Sequence, residues 1–334
     1  MDNVTHTLTG LALANAGLNR KTRFATLALV IGSNLPDIDV LWSSGGVNYL
    51  KYHRGITHSI LGATILAAIL AGAVFLAGKF TNPGKNAPPN GLGWAALVCW
   101  IALMGHIFMD FTNAYSIRPF LPFNSNWYGL DIMYIFDPLL LAVLFAGLAV
   151  PALFRLISEE VGAKKPGFRR GAIISLTFLV LLWGLRLFAH RRVINMIDSH
   201  SYGQENPIRI GAFPSMSNPF KWVGVAETPS AYHILQANAL DDDVDTDSAQ
   251  RFFKPPDSPP LEAARHSRAG GVFLDFARYP WANVEETSDG TVVTIRDLRF
   301  YSFATQSAGF VTEIVLDKNL NVLSQQFSFR PKGD

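Results

Sequence analysis

Seven side chains able to ligate a cation, His6, Asp37, Asp39, His53, His58, His106 and Asp110, stand at the edges of apolar stretches or inside them, all within the first 110 residues. Ionisable groups in such surroundings are costly unless they pair with one another or hold a metal. Imidazole and carboxylate together supply the nitrogen and oxygen donors that suit zinc, manganese or iron, and seven of them are enough for two ions. An ion held this way polarises a substrate oxygen and lowers the pKa of water toward ~7, which is the chemistry of hydrolysis at neutral pH.

Each motif has a functional and a plainer reading. His106 and Asp110 are four residues apart, which on a helix sets them on one face with Cβ atoms roughly 5–6 Å apart. That spacing suits one shared ion, and equally a simple His–Asp hydrogen bond. Gly105 beside them leaves room for a neighbouring helix. In Asn34-Leu35-Pro36-Asp37-Ile38-Asp39 the proline ends a helix and throws both acids into an extended segment. There they face opposite ways, one ligating and the other orienting a histidine; read alone, the segment is a turn with solvated acids.

His53-Arg54-Gly55-Ile56-Thr57-His58-Ser59 puts one histidine in a loop and the other at the first turn of an apolar span, where free N–H groups favour an anion. Arg54 either clamps a phosphoryl oxygen with its planar fork or snorkels to lipid headgroups. His6 begins a short helix with Gly10 one turn on, and it gains weight only from its company. Asp39, or Asp37, is the candidate general base. Asn113, Asp131 and Asp137 could support the site, and Asp137, before Pro138, could cap a helix. His190, His200, His233 and His266 form no usable spacing and read as interfacial or surface residues.

These groups must be positioned by membrane helices. The 334-residue chain is 49% hydrophobic and 16% charged, and its mean hydropathy of +0.20 is too apolar for an average soluble domain. Thr57–Phe80, Gly91–Phe111, Ile132–Ile157 and Gly171–Ala189 are each long enough to cross a ~30 Å hydrocarbon core. Two shorter runs, Val4–Leu18 and Phe24–Leu35, flank the basic turn Asn19–Arg23 and predict an embedded helical hairpin or two helices in a thinned region. The start of the chain lacks the basic region of a cleavable signal peptide, so the first apolar segment is expected to be retained. Ten basic residues (Arg20, Lys21, Arg23, Lys79, Lys85, Arg155, Lys164, Lys165, Arg169 and Arg170) fall in the loops of one side, against Lys51, Arg54 and Arg118 on the other. The positive-inside rule therefore puts the second side away from the cytoplasm, although Arg186, Arg191 and Arg192 count against it. All seven candidate ligands then reach that one face.

From Arg191 the periodicity changes to short strands at Ile208–Ile210, Lys221–Val225 and Tyr232–Leu235, with longer ones at Thr291–Phe303 and Phe310–Leu316. Between them, the acidic run Asp241–Asp247 and Pro255–Pro260 predict an irregular exposed loop. The expected organisation is an α-helical polytopic membrane domain over 1–190, with four long spans and the N-terminal hairpin, followed by a small β-rich soluble domain over 191–334. A net charge of +2 without a basic stripe gives no reason to expect nucleic acid. Cys99 alone builds neither a disulfide framework nor a cysteine metal site within the chain.

The ordered motifs Thr5-His6-x-x-x-Gly10, Pro36-Asp37-x-Asp39, His53-Arg54-Gly55-x-Thr57-His58-Ser59 and His106-x-x-x-Asp110 resemble the YdjM-like family of bacterial inner-membrane proteins, regarded as metal-dependent hydrolases. The match covers roughly residues 1–140. That family is in turn distantly similar to zinc-dependent phospholipase C and the P1-type nucleases. The resemblance implies His6, Asp37 or Asp39, His53, His58, His106 and Asp110 as ligands of a divalent metal, zinc ahead of manganese or iron, in a multi-pass protein of the bacterial inner membrane. The soluble enzymes also use their mature N-terminal residue and a His-x-x-x-Glu, and the latter has no counterpart here.

The leading expectation is a membrane-bound metal-dependent hydrolase of a phosphoester or lipid-linked substrate, with Asp39 and Arg54 as catalytic groups and the bilayer as its partner. The metal site and the C-terminal domain are expected on the non-cytoplasmic side. Two alternatives come from other classes: a metal or proton transporter, which would place its ligands near the bilayer midplane, and a non-catalytic scaffold whose metal fastens helices.

Overall fold

The computed structural model describes residues 1–329 apart from 44, 83, 85, 86, 162–166 and 217. Lys85, Lys164 and Lys165, used above for orientation, lie outside the described residues. The chain forms two compact units, one of Met1–Asp39 and Arg54–Leu187, the other of Val40–His53 and Phe188–Asp334.

The first unit opens with the expected hairpin, α1 (Asn3–Ala16) and α2 (Ala25–Gly32), joined through a 3-10 turn at Leu18–Arg20. Asp2 caps α1 by accepting the Thr5 N–H, and Gly17, at φ 139°, ends it. A Cβ on Gly10 would lie 2.8 Å from the Leu29 carbonyl oxygen, so only glycine lets α1 and α2 meet there. The segment after α2 is not extended as its proline implied. It is a 3-10 helix, Leu35–Trp42, that carries Asp37 and Asp39. A short helix, α3 (Gly46–Tyr52), follows in the second unit, and a 3-10 turn at Ile56–His58 leads back into the first.

Among the described residues, the four long spans are α4 (Ile60–Lys79), α5 (Leu92–Phe111), α6 (Pro138–Glu160) and α7 (Arg169–Asp198), each with a stretch long and apolar enough to cross a membrane. Ser59 caps α4 by accepting the Gly62 N–H at 2.9 Å. Ala63, Ala67 and Ala71 of α4 and Ala95, Cys99 and Ala102 of α5 belong to one buried core, where small side chains allow close helix packing. Gly105 plays no part in such packing, since nothing lies within 4 Å of where its Cβ would be. The close approach to α5 comes instead from Gly32, whose Cβ would stand 2.8 Å from that of Ala102.

Asp137 caps α6 as expected, accepting the Leu140 N–H at 3.0 Å, and it also takes Arg186 Nη2 of α7 at 2.6 Å. Helix α7 continues past the expected end at Ala189 to Asp198, because Arg191 and Arg192 are good helix formers and no glycine or proline intervenes. The expected junction after residue 190 therefore falls inside a helix.

Among the described residues, the second unit holds two four-stranded antiparallel sheets. One is the meander β1 (Arg209–Pro214), β2 (Lys221–Glu227), β3 (Ala231–Asn238) and β4 (Gln250–Phe253). Two helices follow, α8 (Pro259–His266) and α9 (Arg268–Phe276), and then β5 (Pro280–Thr287) and β6 (Gly290–Asp297). A small hairpin, β7 (Tyr301–Ser302) and β8 (Ser307–Ala308), precedes β9 (Val311–Asp317) and β10 (Val322–Ser328), and the second sheet runs β10-β9-β6-β5.

The expected long strand Thr291–Phe303 thus breaks at a 3-10 turn, Leu298–Phe300. Asp297 dictates the break: its side chain accepts the Arg299 N–H at 3.1 Å and Arg299 Nε at 2.7 Å, a buried pair. The irregular loop is interrupted by β4 and ends earlier than expected, because Pro259 and Pro260 occupy the first turn of α8, where a missing N–H costs nothing. The unit is β-rich, with α8 and α9 following the first sheet in sequence. His233, read from sequence as a surface residue, is buried.

Candidate metal centre

Four carboxylate and imidazole side chains of the first unit converge although they come from three separate elements. Asp37 arrives on the 3-10 helix after α2, His58 on the turn that precedes α4, and His106 and Asp110 on the last turns of α5. One ligand atom from each lies within 4.8 Å of every other. His58 Nε2 stands 3.2 Å from His106 Nε2, 3.3 Å from Asp37 Oδ1 and 3.5 Å from Asp110 Oδ2. His106 Nε2 is 3.6 Å from each of those two oxygens. His58, His106 and Asp110 are at most 1% exposed, and the Asp37 side chain is 12% exposed.

Both imidazoles are fixed from behind. His106 Nδ1 meets the Ser33 carbonyl oxygen at 2.7 Å, so this nitrogen carries the proton and Nε2 presents its lone pair inward. His58 Nδ1 meets Asp39 Oδ2 at 3.2 Å, with the same consequence. Asp39 Oδ2 also accepts the Arg54 N–H at 2.9 Å and the Thr57 hydroxyl at 3.0 Å. Of the two readings of the acidic pair, the geometry therefore separates the roles: Asp37 joins the inward-facing donors, while Asp39 holds His58 in position.

This donor set fits a divalent cation. Ligand bonds of about 2.0–2.1 Å in a tetrahedral site imply donor–donor edges of roughly 3.3–3.4 Å, which the 3.2 to 3.6 Å separations about the two histidine nitrogens bracket. Two inward lone pairs face two carboxylate oxygens there, and both nitrogens of the neighbouring His6 are buried without a hydrogen bond.

His6 stacks on His106 with ring centroids 3.8 Å apart, and its Nε2 lies 3.3 Å from Asp110 Oδ1. The Met1 amino group contacts that same oxygen. Arg54 is 3% exposed, which rules out the headgroup-snorkelling reading. Its Nε approaches Asp110 Oδ2 at 3.1 Å, its Nη1 donates to Asn113 Oδ1 at 2.9 Å, and its guanidinium lies 4.5 Å over the Tyr115 ring. His53 belongs to the second unit, where it closes α3 by donating its N–H to the Tyr49 carbonyl and stacks on the Tyr49 ring at 4.5 Å.

Sequence reasoning missed Tyr115 and the Ser33 carbonyl. A ring two residues past Asn113 was a readable signal for the first. A backbone acceptor leaves none for the second.

A buried cluster of histidine and aspartate that could hold a metal ion, carried by apolar helices, defines a polytopic membrane protein. Residues 1–193 match the family described as YdjM inner membrane proteins, and the chain belongs to that family. Residues 259–332 match the YfhP C-terminal alpha/beta plait domain. The uncharacterized protein YfhP of Bacillus subtilis (strain 168) is 25% identical over 320 residues, covering 90% of this chain and 88% of that protein. No solved structure matches the chain. The more distant likeness to phospholipase C and P1-type nucleases gains nothing from these comparisons.

Proposed function

We propose that the protein is a membrane-bound metal-dependent hydrolase that cleaves a phosphoester or lipid-linked substrate, with its site on the non-cytoplasmic side of the inner membrane. The observation that carries this reading is the meeting of His58, His106, Asp37 and Asp110, whose ligand atoms lie within 4.8 Å of one another, the two histidine nitrogens standing 3.2 to 3.6 Å from each other and from the two carboxylate oxygens. His58, His106 and Asp110 would hold the ion and leave a fourth position for water beside Asp37, the arrangement of catalytic zinc sites. A cation bound there would polarise a substrate oxygen and make water acidic enough to attack at neutral pH.

The chain's own groups supply the rest. Asp37, the least buried of the four, accepts the proton of the attacking water. Arg54 lies against Asp110 with a planar fork suited to a phosphoryl oxygen, and Asn113 and Tyr115 hold that fork in one orientation. The donors cluster at helix ends: His58 comes just before α4, and His106 and Asp110 close α5. That placement favours a site at a membrane face over the midplane site of a carrier. Orientation rests on the ten basic residues of the opposite loops.

The test uses purified full-length protein in detergent. Metal content is measured, and hydrolysis of phosphodiester and phospholipid substrates is assayed beside His106→Ala and Asp110→Ala. Near-stoichiometric metal and turnover, both lost in the variants, are expected. Undiminished turnover in the two variants would sink the proposal.

A further inference from the structure

The connection between α5 and α6 carries an apolar tip that hydrolysis does not need. Phe123 is 85% exposed and Phe120 is 47% exposed, the former among the most exposed large apolar residues of the chain. Their height relative to the membrane is set by a backbone bond, since the Ile60 N–H, at the first residue of the span α4, donates to the Pro119 carbonyl oxygen at 2.9 Å. Ile60 and Ile56, on the adjoining turn, are themselves 47% and 49% exposed. The tip is therefore continuous with the lipid-facing surface of a span. Behind it, the Arg118 guanidinium lies 4.4 Å over the Trp127 ring, a pairing of amphipathic side chains typical of the headgroup level.

We infer that Phe120 and Phe123, with Ile56 and Ile60, insert into the bilayer leaflet beside the metal centre and hold the loop at the headgroup–acyl boundary. Water is the poorer solvent for such a patch, and the lipid that must cover the start of α4 lies one hydrogen bond away. Because Ile56 begins the turn that ends in His58, an inserted tip brings the headgroup layer to the ligand set. This last consequence rests on the hydrolase reading, and it selects a membrane-resident amphiphile over a soluble phosphoester as substrate. Insertion itself requires neither metal nor turnover.

The experiment places an environment-sensitive thiol-reactive fluorophore at position 123 (Phe123→Cys) in full-length protein carrying Cys99→Ala, within nanodiscs of phosphatidylethanolamine and phosphatidylglycerol. Position 289 (Asp289→Cys), in the exposed turn between β5 and β6, is the aqueous reference. Folding of both labelled proteins is checked by circular dichroism, which the exposure of the two sites favours. A blue shift at 123 relative to 289, with stronger quenching by lipids spin-labelled near the headgroup than by aqueous iodide, is expected. Emission and iodide quenching equal at the two positions would overturn insertion. If 123 is lipid-quenched in protein that shows no hydrolysis, insertion stands and the enzymatic reading falls.

Discussion

His58 and His106 point their Nε2 atoms at each other across 3.2 Å, although 48 residues separate them in the chain. Two neutral imidazoles placed this way cannot both donate, and each has its other nitrogen committed, His106 to the Ser33 carbonyl and His58 to Asp39. The local order is thus reversed from that of a hydrogen-bonded core, in which lone pairs seek protons. Facing lone pairs, with Asp37 and Asp110 closing around them, are what a cation requires.

If Asp39 acts by holding His58, replacing its charge while keeping its shape weakens the metal without abolishing it. Asp39→Asn retains an acceptor for the Arg54 N–H and the Thr57 hydroxyl. It removes the charge that holds the His58 ring with Nδ1 protonated and Nε2 turned inward. Metal affinity is expected to fall about 10- to 100-fold, the usual effect of losing a partner behind a ligand. A chelator competition titration on the full-length protein reads this directly. Unchanged affinity would remove the positioning role, and complete loss of binding would make Asp39 itself a ligand.

Much of this arrangement was legible because helical spacing is rigid: His106 and Asp110 had to share a face once α5 was recognised as a helix. The spans and the hairpin followed from apolar runs that hardly any other structure can satisfy. Asp37 and Asp39 resisted, since the residues after Pro36 could form a strand or a 3-10 helix, and only the latter, with three residues per turn, turns one acid inward and the other behind His58. In the second unit, α8 and α9 are eight and nine residues long, too short for periodicity to outweigh the proline-rich stretch before them.

The Asp137–Arg186 pair makes a stability prediction for the membrane unit. Both side chains are at most 1% exposed and their charged atoms are 2.6 Å apart. Asp137→Asn would leave the Arg186 guanidinium buried without a counter-charge, a loss of about 3–5 kcal/mol. Removing both charges, with Asp137→Asn and Arg186→Met together, should restore much of it. Thermal unfolding in detergent distinguishes the two variants. A single variant that melts with the parent protein would mean that solvent or lipid headgroups already neutralise the arginine.

His233 gives the second unit a pH dependence whose sign can be worked out. It lies buried on β3, opposite Ala226 of β2 and Arg251 of β4, with the Tyr202 ring 5.1 Å away. Desolvation lowers its pKa below the ordinary 6.5, the positive charge of Arg251 lowers it further, and Glu205 opposes both. Near pH 6 the unfolded chain therefore binds more protons at this position than the folded one, so stability rises with pH. The penalty is absent well above pH 6.5 and grows as the pH falls below that value, by about 1.4 kcal/mol for each tenfold loss of proton affinity on folding. Melting temperatures of the parent and His233→Gln, taken from pH 7.5 to 5, should diverge on the acid side, the parent falling faster. Other groups titrate in that range too, so the difference between the two curves carries the result. Parallel curves would mean that water reaches the ring and that burial imposes no cost on its charged form.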